Sequence, residues 1–180
     1  MPNKAVLFDR DGTLNVDTNY LYKTEEMRWM PEVPEALVWL KQKGYDFYVI
    51  TNQSGIARGF FSVQDMEKLH GYMNELLQKY GVEIKKFYYC PHHKEGKIKE
   101  YSFECECRKP KPALVLQCLK ENNLTPENCV MIGDMPKDVE CADKNVSRAD
   151  VHFAVRTPEV FLNYEGLYEK ENCSTCRSGR

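Results

Sequence analysis

Long apolar runs are missing from this sequence. No stretch of the 180 residues approaches the roughly 18 consecutive apolar residues of a membrane-spanning helix. Charge of one sign is not in excess either: 25 Lys and Arg face 27 Asp and Glu, a net charge of −2. That excludes a strongly basic nucleic-acid binder as the default and leaves room only for a local basic patch. The start of the chain lacks a small-residue cleavage site. Met1-Pro2-Asn3-Lys4 runs straight into Ala5–Asp9, which reads as a first strand and not as a secretion signal, so the cytoplasm is the expected compartment. Repeats and low-complexity segments are absent too. The balance of 42% hydrophobic and 29% charged residues argues against general disorder. At about 150 residues per domain, the length predicts one domain that can bury a full core.

Cysteine is not scarce. Eight occur, at 90, 105, 107, 118, 129, 141, 173 and 176, and a reducing compartment demands a reason for them. An even count would suit disulfides in a secreted protein, but no other feature supports secretion. Cys118, Cys129 and Cys141 fall in helical or strand contexts, and Cys173 and Cys176 near the end of the chain. Cys90, Cys105 and Cys107 group with His92. Twelve residues separate His92 from Cys105.

Apolar strand patterns alternate with helical ones. Strands are predicted at Ala5–Asp9, Phe47–Thr51, Phe87–Tyr89, Cys129–Ile132 and Val151–Val155. Helices are predicted at Pro34–Lys43, with Gly44 as its terminator, at Pro112–Asn122 and at Pro136–Lys144. Another starts at Ser62, with Asp65 three residues on as a capping box, and ends at Gly81. It places Met66, Leu69, Met73, Leu76, Leu77 and Tyr80 on one core-facing stripe. This alternation predicts an α/β three-layer sandwich with a parallel sheet. Residues 1–171 form the expected domain and 172–180 a polar tail. The segment from Cys90 to Lys111 is polar and lacks a hydrophobic period; a loop of that length in a domain is usually functional or disordered.

Asp9 and Asp11 close the first strand, with Gly12 able to turn the chain. Alone, such a pair also fits a solvated turn. Thr51 ends the second strand, Gly133-Asp134 a later one, and Lys109 precedes a helix. In open α/β sheets these positions converge at the carboxyl edge, where ligands bind. Hydroxyl, lysine and carboxylates converging in one crevice are what an active site requires. Three thiolates and an imidazole at Cys90, His92, Cys105 and Cys107 suit a closed tetrahedral Zn²⁺ that staples the loop. Four scattered thiols are the bland alternative. His93 reads as a solvated or supporting neighbour, and His70 and His152 as ordinary surface or core residues.

Asp9-x-Asp11, Thr51, Lys109 and Gly133-Asp134 together resemble the four motifs of the haloacid dehalogenase superfamily of phosphatases. The resemblance implies a Rossmann-type sheet with a minimal cap, since Asn15–Glu32 and Phe60–Phe61 offer only short covers. It implies that Asp9 attacks phosphorus to form an aspartyl-phosphate and that Asp11 serves as acid and then base. Thr51 and Lys109 would hold the phosphoryl oxygens. Asp9, the Asp11 carbonyl and Asp134 would bind Mg²⁺. Asp138 either orients that shell or is an exposed helix-start carboxylate. The zinc loop resembles that of the histidinol-phosphate and heptose 1,7-bisphosphate phosphatase branches. Thr51–Phe61 and Cys105–Pro110 are similar to the heptose branch. That likeness implies a C7-phosphate substrate and recognition by Arg108, by the loop Asp17, Thr18, Asn19 and Tyr20, and by Asn52, Gln53 and Ser54.

Two departures stand out. Met135 replaces a lysine expected after Asp134, with Lys137 two residues on, and Asp143–Ser147 replaces a glycine-containing turn. Three other readings compete: histidinol-phosphate hydrolysis, 3′-phosphate removal from nucleic-acid ends, and a non-catalytic zinc module. End-repair phosphatases share the Asp-x-Asp and Thr-Asn-Gln residues but lack this zinc loop. The segment Lys94–Lys111, with six basic and four acidic residues, is a poor backbone-tracking groove. The expected partner is a small phosphorylated sugar, with neither nucleic acid nor membrane, and the chain is expected to be a monomer.

Overall fold

A computed structural model of the chain describes residues 3–143 and 152–153. Its sheet has five parallel strands: β1 (Lys4–Phe8), β2 (Tyr45–Asn52), β3 (Lys86–Cys90), β4 (Cys129–Gly133) and β5 (His152–Phe153). They lie side by side in the order β3-β2-β1-β4-β5. The predicted tail, Cys173, Cys176, the Asp143–Ser147 turn beyond its first residue, and most of the expected last strand fall outside the described residues.

Because side chains alternate along a strand, β1 feeds two cores at once. Val6 and Phe8 join Phe47, Val49, Val130 and Ile132 on one face, against Val33, Leu37 and Leu40 of α1 (Val33–Gln42) and Leu69, Met73 and Leu77 of α3 (Val63–Gln78). Ala5 and Leu7 join Tyr48, Ile50, Tyr88 and Met131 on the other. There they meet Leu114, Val115 and Cys118 of α4 (Ala113–Glu121) and Cys141 of α5 (Pro136–Asp143). The result is the three-layer arrangement with helices on both faces that the alternation predicts. A short helix, α2 (Gly55–Arg58), follows β2.

Local chemistry sets the element ends. Ser62 Oγ accepts from the Asp65 amide at 3.1 Å and the Asp65 carboxylate accepts from the Ser62 amide at 2.9 Å, a complete capping box. The stripe on α3 is one residue too long as predicted from sequence. The helix stops at Gln78, and the turn through Gly81 leaves Tyr80 exposed, not core-facing.

The strand order reverses beside β1, where β2 lies on one side and β4 on the other. At such a switch point the connections diverge and leave a crevice beyond the strand ends. The Asp9 amide reaches across to Ile132 O at 2.8 Å, so the segment after β1 is tied to β4 at the mouth of that crevice.

Candidate active site

Residues from the ends of β1, β2 and β4 line a cavity of about 290 Å³ at this edge. Its wall includes Asp9, Asp11, Asp17, Asn19, Tyr20, Thr51, Asn52, Gln53, Ser54, Asp134, Met135 and Lys137. The chain after β1 folds into a tight turn, with the amides of Leu14 and Asn15 donating to Arg10 O at 2.9 and 3.2 Å. Gly12 sits in this turn at φ +81°, and a Cβ there would lie 2.5 Å from Asp134 Oδ2. Glycine is thus needed twice over, for the left-handed backbone and for the approach of the β4 carboxylate.

The Lys109 ammonium is fully buried. It lies 2.9 Å from Asp9 Oδ1 and 2.7 Å from Asp138 Oδ1, and donates to Ile50 O at 2.6 Å. Burial alone would favour the neutral amine, but the two carboxylates outweigh it and raise the lysine above its ordinary value. Asp9 is also raised: burial dominates and Asp138 adds to it, against the pull of Lys109. Burial and Asp138 raise Asp134 in the same way. Asp138 is fully buried, so the reading of it as an exposed helix-start carboxylate is overturned; Gly133 leaves the room, since a Cβ there would lie 2.4 Å from Asp138 Cβ.

Asp11 behaves differently. Burial pushes it up, but the Arg10 guanidinium and hydrogen bonds from Asn15, Arg10 and Gln53 more than reverse this and hold it below the usual carboxylate range. Gln53 Nε2 donates to Asp11 Oδ2 and to Thr51 Oγ1, both at 2.9 Å. Asn52 spends its amide on a clamp: Oδ1 accepts from the Lys109 amide at 3.0 Å and Nδ2 donates to Lys109 O at 3.1 Å. The end of β2 thereby fixes the segment that delivers Lys109.

Oxygens of Asp9, Asp134 and Asp138 lie within 4.8 Å of one another. Asp134 Oδ1 is buried with no hydrogen-bond donor among the described residues. An orphaned carboxylate oxygen beside a second carboxylate fits a hard divalent cation with oxygen ligands. The Asp11 carboxylate is not in this group.

A second cluster holds Cys90, His92, Cys105 and Cys107. Cys90 and Cys105 Sγ are 3.5 Å apart, Cys105 and Cys107 Sγ 3.3 Å, and His92 Nδ1 is 3.2 Å from Cys107 Sγ. A tetrahedral zinc with these ligands has edges of about 3.5–3.8 Å, so the donors nearly describe that polyhedron. The loop has more to hold it than its polar sequence suggests. Tyr101 packs on Ile56, Phe61 and Met66, and Phe103 lies against His92 with ring centroids 4.4 Å apart.

Thr18 and Arg108 do not line the Asp9 cavity. Arg108 borders an adjoining hollow of about 440 Å³ with His93, Lys94, Phe103 and Lys109. His93 is outside the metal cluster and faces Arg58, Nη2 to Nε2 3.1 Å. The sequence reading passed over Arg10, buried at the heart of the site, and His70, which is no ordinary core residue: its Nε2 lies 3.2 Å from Arg10 Nη1. Nothing in a histidine 60 positions away signals that contact. Lys137 stands in the wall beside Met135 and brings a cation to the place where Met135 has none.

Comparison with known proteins agrees with this geometry. The family model for polynucleotide kinase 3 phosphatase matches residues 4–168. The chain is 46% identical over 136 residues to the D-glycero-beta-D-manno-heptose-1,7-bisphosphate 7-phosphatase of Pasteurella multocida, covering 76% of this chain and 73% of that protein. It is 44% identical to the Haemophilus influenzae protein of the same name, covering 77% and 74%. Among solved structures, a HAD-like phosphatase from Mesorhizobium loti superposes with a TM-score of 0.74 at 30% identity, covering 79% of this chain and 68% of that one. A D,D-heptose 1,7-bisphosphate phosphatase from B. bronchiseptica, complexed with magnesium and phosphate, has the same fold with a TM-score of 0.73 at 22% identity, covering 93% and 99%. The chain belongs to the haloacid dehalogenase-like phosphatases, in the family that includes these heptose-bisphosphate enzymes. It is a phosphatase, and among the described residues no helix is long and apolar enough to cross a membrane.

Proposed function

We propose that the chain removes the C7 phosphate of D-glycero-beta-D-manno-heptose 1,7-bisphosphate and leaves the 1-phosphate. The observation that carries this is the cavity lined by Asp9, Asp11 and Asp134, with Lys109 and Asp138 buried behind Asp9, in a chain so similar to enzymes of that name. The relatives at 46% and 44% identity are named for the beta anomer, and one from Photorhabdus laumondii named for the alpha anomer is 33% identical.

Asp9 is the nucleophile in this reading. One of its oxygens bonds to phosphorus as the bond from phosphorus to O7 breaks, and Asp11 gives the departing oxygen a proton. Water then attacks phosphorus, Asp11 takes a proton from it, and phosphate leaves with Asp9 restored. Arg10 and Gln53 keep Asp11 ionised, as the second step requires. An arriving phosphate dianion raises its proton affinity, as the first step requires. Lys109 and Thr51 face the phosphoryl oxygens. Asp9, the Asp11 carbonyl and Asp134 hold Mg²⁺, which offsets the repulsion between carboxylate and phosphate. Zn²⁺ on Cys90, His92, Cys105 and Cys107 has a structural part, shaping the loop that presents Arg108. A primary phosphate reaches the depth of Asp9 with little steric cost. The second phosphate stays near the rim, on the side of Arg108; the sugar meets Asp17, Asn19, Tyr20 and Ser54 in the cavity wall, with Thr18 outside it. The proposal includes a monomeric enzyme acting in the cytoplasm on this small sugar phosphate.

The test is a panel with Mg²⁺ of the bisphosphate, histidinol phosphate and a 3′-phosphorylated oligonucleotide, with ³¹P NMR to identify the phosphate released. The bisphosphate is expected to have the highest kcat/KM and to lose its C7 phosphate. A higher value for either competitor, or prior loss of the 1-phosphate, overturns the assignment. Arg108→Ala should reduce bisphosphate turnover far more than that of a simple monophosphate.

A further inference from the structure

We propose that His70 is a positioning residue for proton transfer: by accepting a hydrogen bond from Arg10 it fixes the guanidinium, and through it the Asp11 carboxylate. The proposal rests on the reading of Asp11 as the acid and base.

Arg10 is completely buried, and its donors are distributed among acceptors on all sides. Nε lies 3.1 and 3.2 Å from the two Asp11 oxygens, and Nη2 donates to Asp11 Oδ2 at 2.9 Å. Nη2 also meets Leu21 O at 2.9 Å and Gln53 Oε1 at 3.1 Å. Nη1 meets His70 Nε2 at 3.2 Å. A guanidinium can only donate, so Nε2 must carry a lone pair and the ring is neutral with its proton on Nδ1. Burial and then the Arg10 cation hold the imidazole pKa down to about 3, in keeping with that tautomer.

His70 is itself braced. It projects from α3, and its ring stacks on Phe87 of β3 with centroids 4.1 Å apart and planes at 11°. The acceptor is therefore a rigid stop against one end of a planar cation whose other edge grips Asp11. Without it, buried Nη1 loses the acceptor it has among the described residues, and the guanidinium gains by rotating toward any other acceptor. Rotation breaks the fork on Asp11. A carboxylate that hands a proton to a leaving oxygen tolerates little misplacement, because proton transfer depends on a short, aligned contact.

Leaving-group dependence separates positioning from mere support. Nitrophenolate departs without a proton, whereas an alkoxide needs one. His70→Phe keeps the stack on Phe87 and removes the acceptor; His70→Gln restores an accepting oxygen. In the Mg²⁺-supplied enzyme, His70→Phe is expected to lower kcat on the best primary alkyl phosphate about tenfold and kcat on 4-nitrophenyl phosphate, which needs Asp11 only as base in the second step, several-fold less, with KM within about twofold. His70→Gln should recover most of the loss. Thermal unfolding is followed in parallel, and His70→Leu takes the place of His70→Phe if the latter does not fold. Asp11→Asn, assayed alongside, distinguishes the two levels of the argument. If Asp11→Asn shows the alkyl-specific loss and the His70 variants lose both activities equally, or neither, positioning by His70 is overturned and the acid role stands. If Asp11→Asn shows no such split, the acid role falls and the proposal with it.

Discussion

Asp9 makes the sharpest demand on a single side chain. Asparagine keeps its shape and its place beside Lys109 but cannot form an acyl-phosphate, so Asp9→Asn should reduce turnover by at least ~10³-fold with an unchanged fold. Retention of more than a hundredth of the wild-type rate in a steady-state assay with Mg²⁺ would remove Asp9 from the role of nucleophile. His70 has a separate consequence for stability. Its folded pKa of about 3 lies below the ordinary 6.5, chiefly through burial. Between those values the unfolded chain binds a proton that the native chain refuses, so stability rises with pH across this window and falls as pH drops below 6.5. Urea unfolding of wild type and His70→Gln from pH 7 to pH 4 checks this: the advantage of wild type, if any at pH 7, should shrink toward pH 4. A constant difference would mean that the ring takes up its proton equally in the folded and unfolded chains, and a growing advantage of wild type that it is charged in the native state.

Elements carry the next layer of consequence. The zinc loop is docked on α2 through Ala57 O, which accepts from the Lys97 and Ile98 amides at 2.7 and 2.9 Å. Gly96 permits that approach, since a Cβ there would lie 2.7 Å from Ala57 O and 2.4 Å from Ser102 Oγ. Gly96→Ala should cost about 1–3 kcal/mol in denaturant unfolding by forcing the loop off the helix. Chelation of zinc should raise amide hydrogen exchange within residues 91–111 and leave β1, β2 and β4 protected; uniform loss of protection would contradict a local role. Much of this architecture was legible from period alone. Apolar alternation marks the buried strands, and Ser62 with Asp65 announces the start of α3. The end of α3 was less legible, because Tyr80 continues the helical period while the chain itself turns at Gly81. Strand ends told where Asp9, Asp11, Thr51 and Asp134 would meet, since topology alone converges them. Arg10 is not singled out by the sequence, and His70 reads there as an ordinary surface or core residue, because their meaning depends on packing between α3 and the turn after β1. A charged residue flanked by two aspartates ordinarily reads as solvated. Asp138 was ambiguous for the same reason: only the missing Cβ of Gly133 shows how deep it goes.

For the molecule as a whole, the sheet separates support from chemistry. Leu37 lies in the core between α1 and the sheet, so Leu37→Ala should cost about 2–5 kcal/mol in urea unfolding while kcat of the folded fraction stays near wild type. Loss of activity without loss of stability would mean that the core tunes the site directly. The cavity at the sheet edge has its own electrical balance. Among the described residues, Asp9, Asp11, Asp134 and Asp138 are met by the cations Lys109 and Arg10 and, in the wall beside Asp134, by Lys137, whose charge Asp17 in the same wall balances. Four carboxylates against two cations leave two uncompensated negative charges in a confined space. Burial is the main reason that Asp9 and Asp134 are raised, and the neighbouring carboxylate Asp138 adds to it. A dianionic substrate cannot enter first. The charge count therefore predicts an order of events: Asp9 and Asp134 would take up the divalent cation before the phosphate is accepted, and product would leave before or together with the cation. In kinetic language the cation is expected to be an obligatory leading reactant. Inorganic phosphate should thus compete with substrate only when Mg²⁺ is present, and calorimetric titration of phosphate into the Mg²⁺-free protein should give no heat of binding.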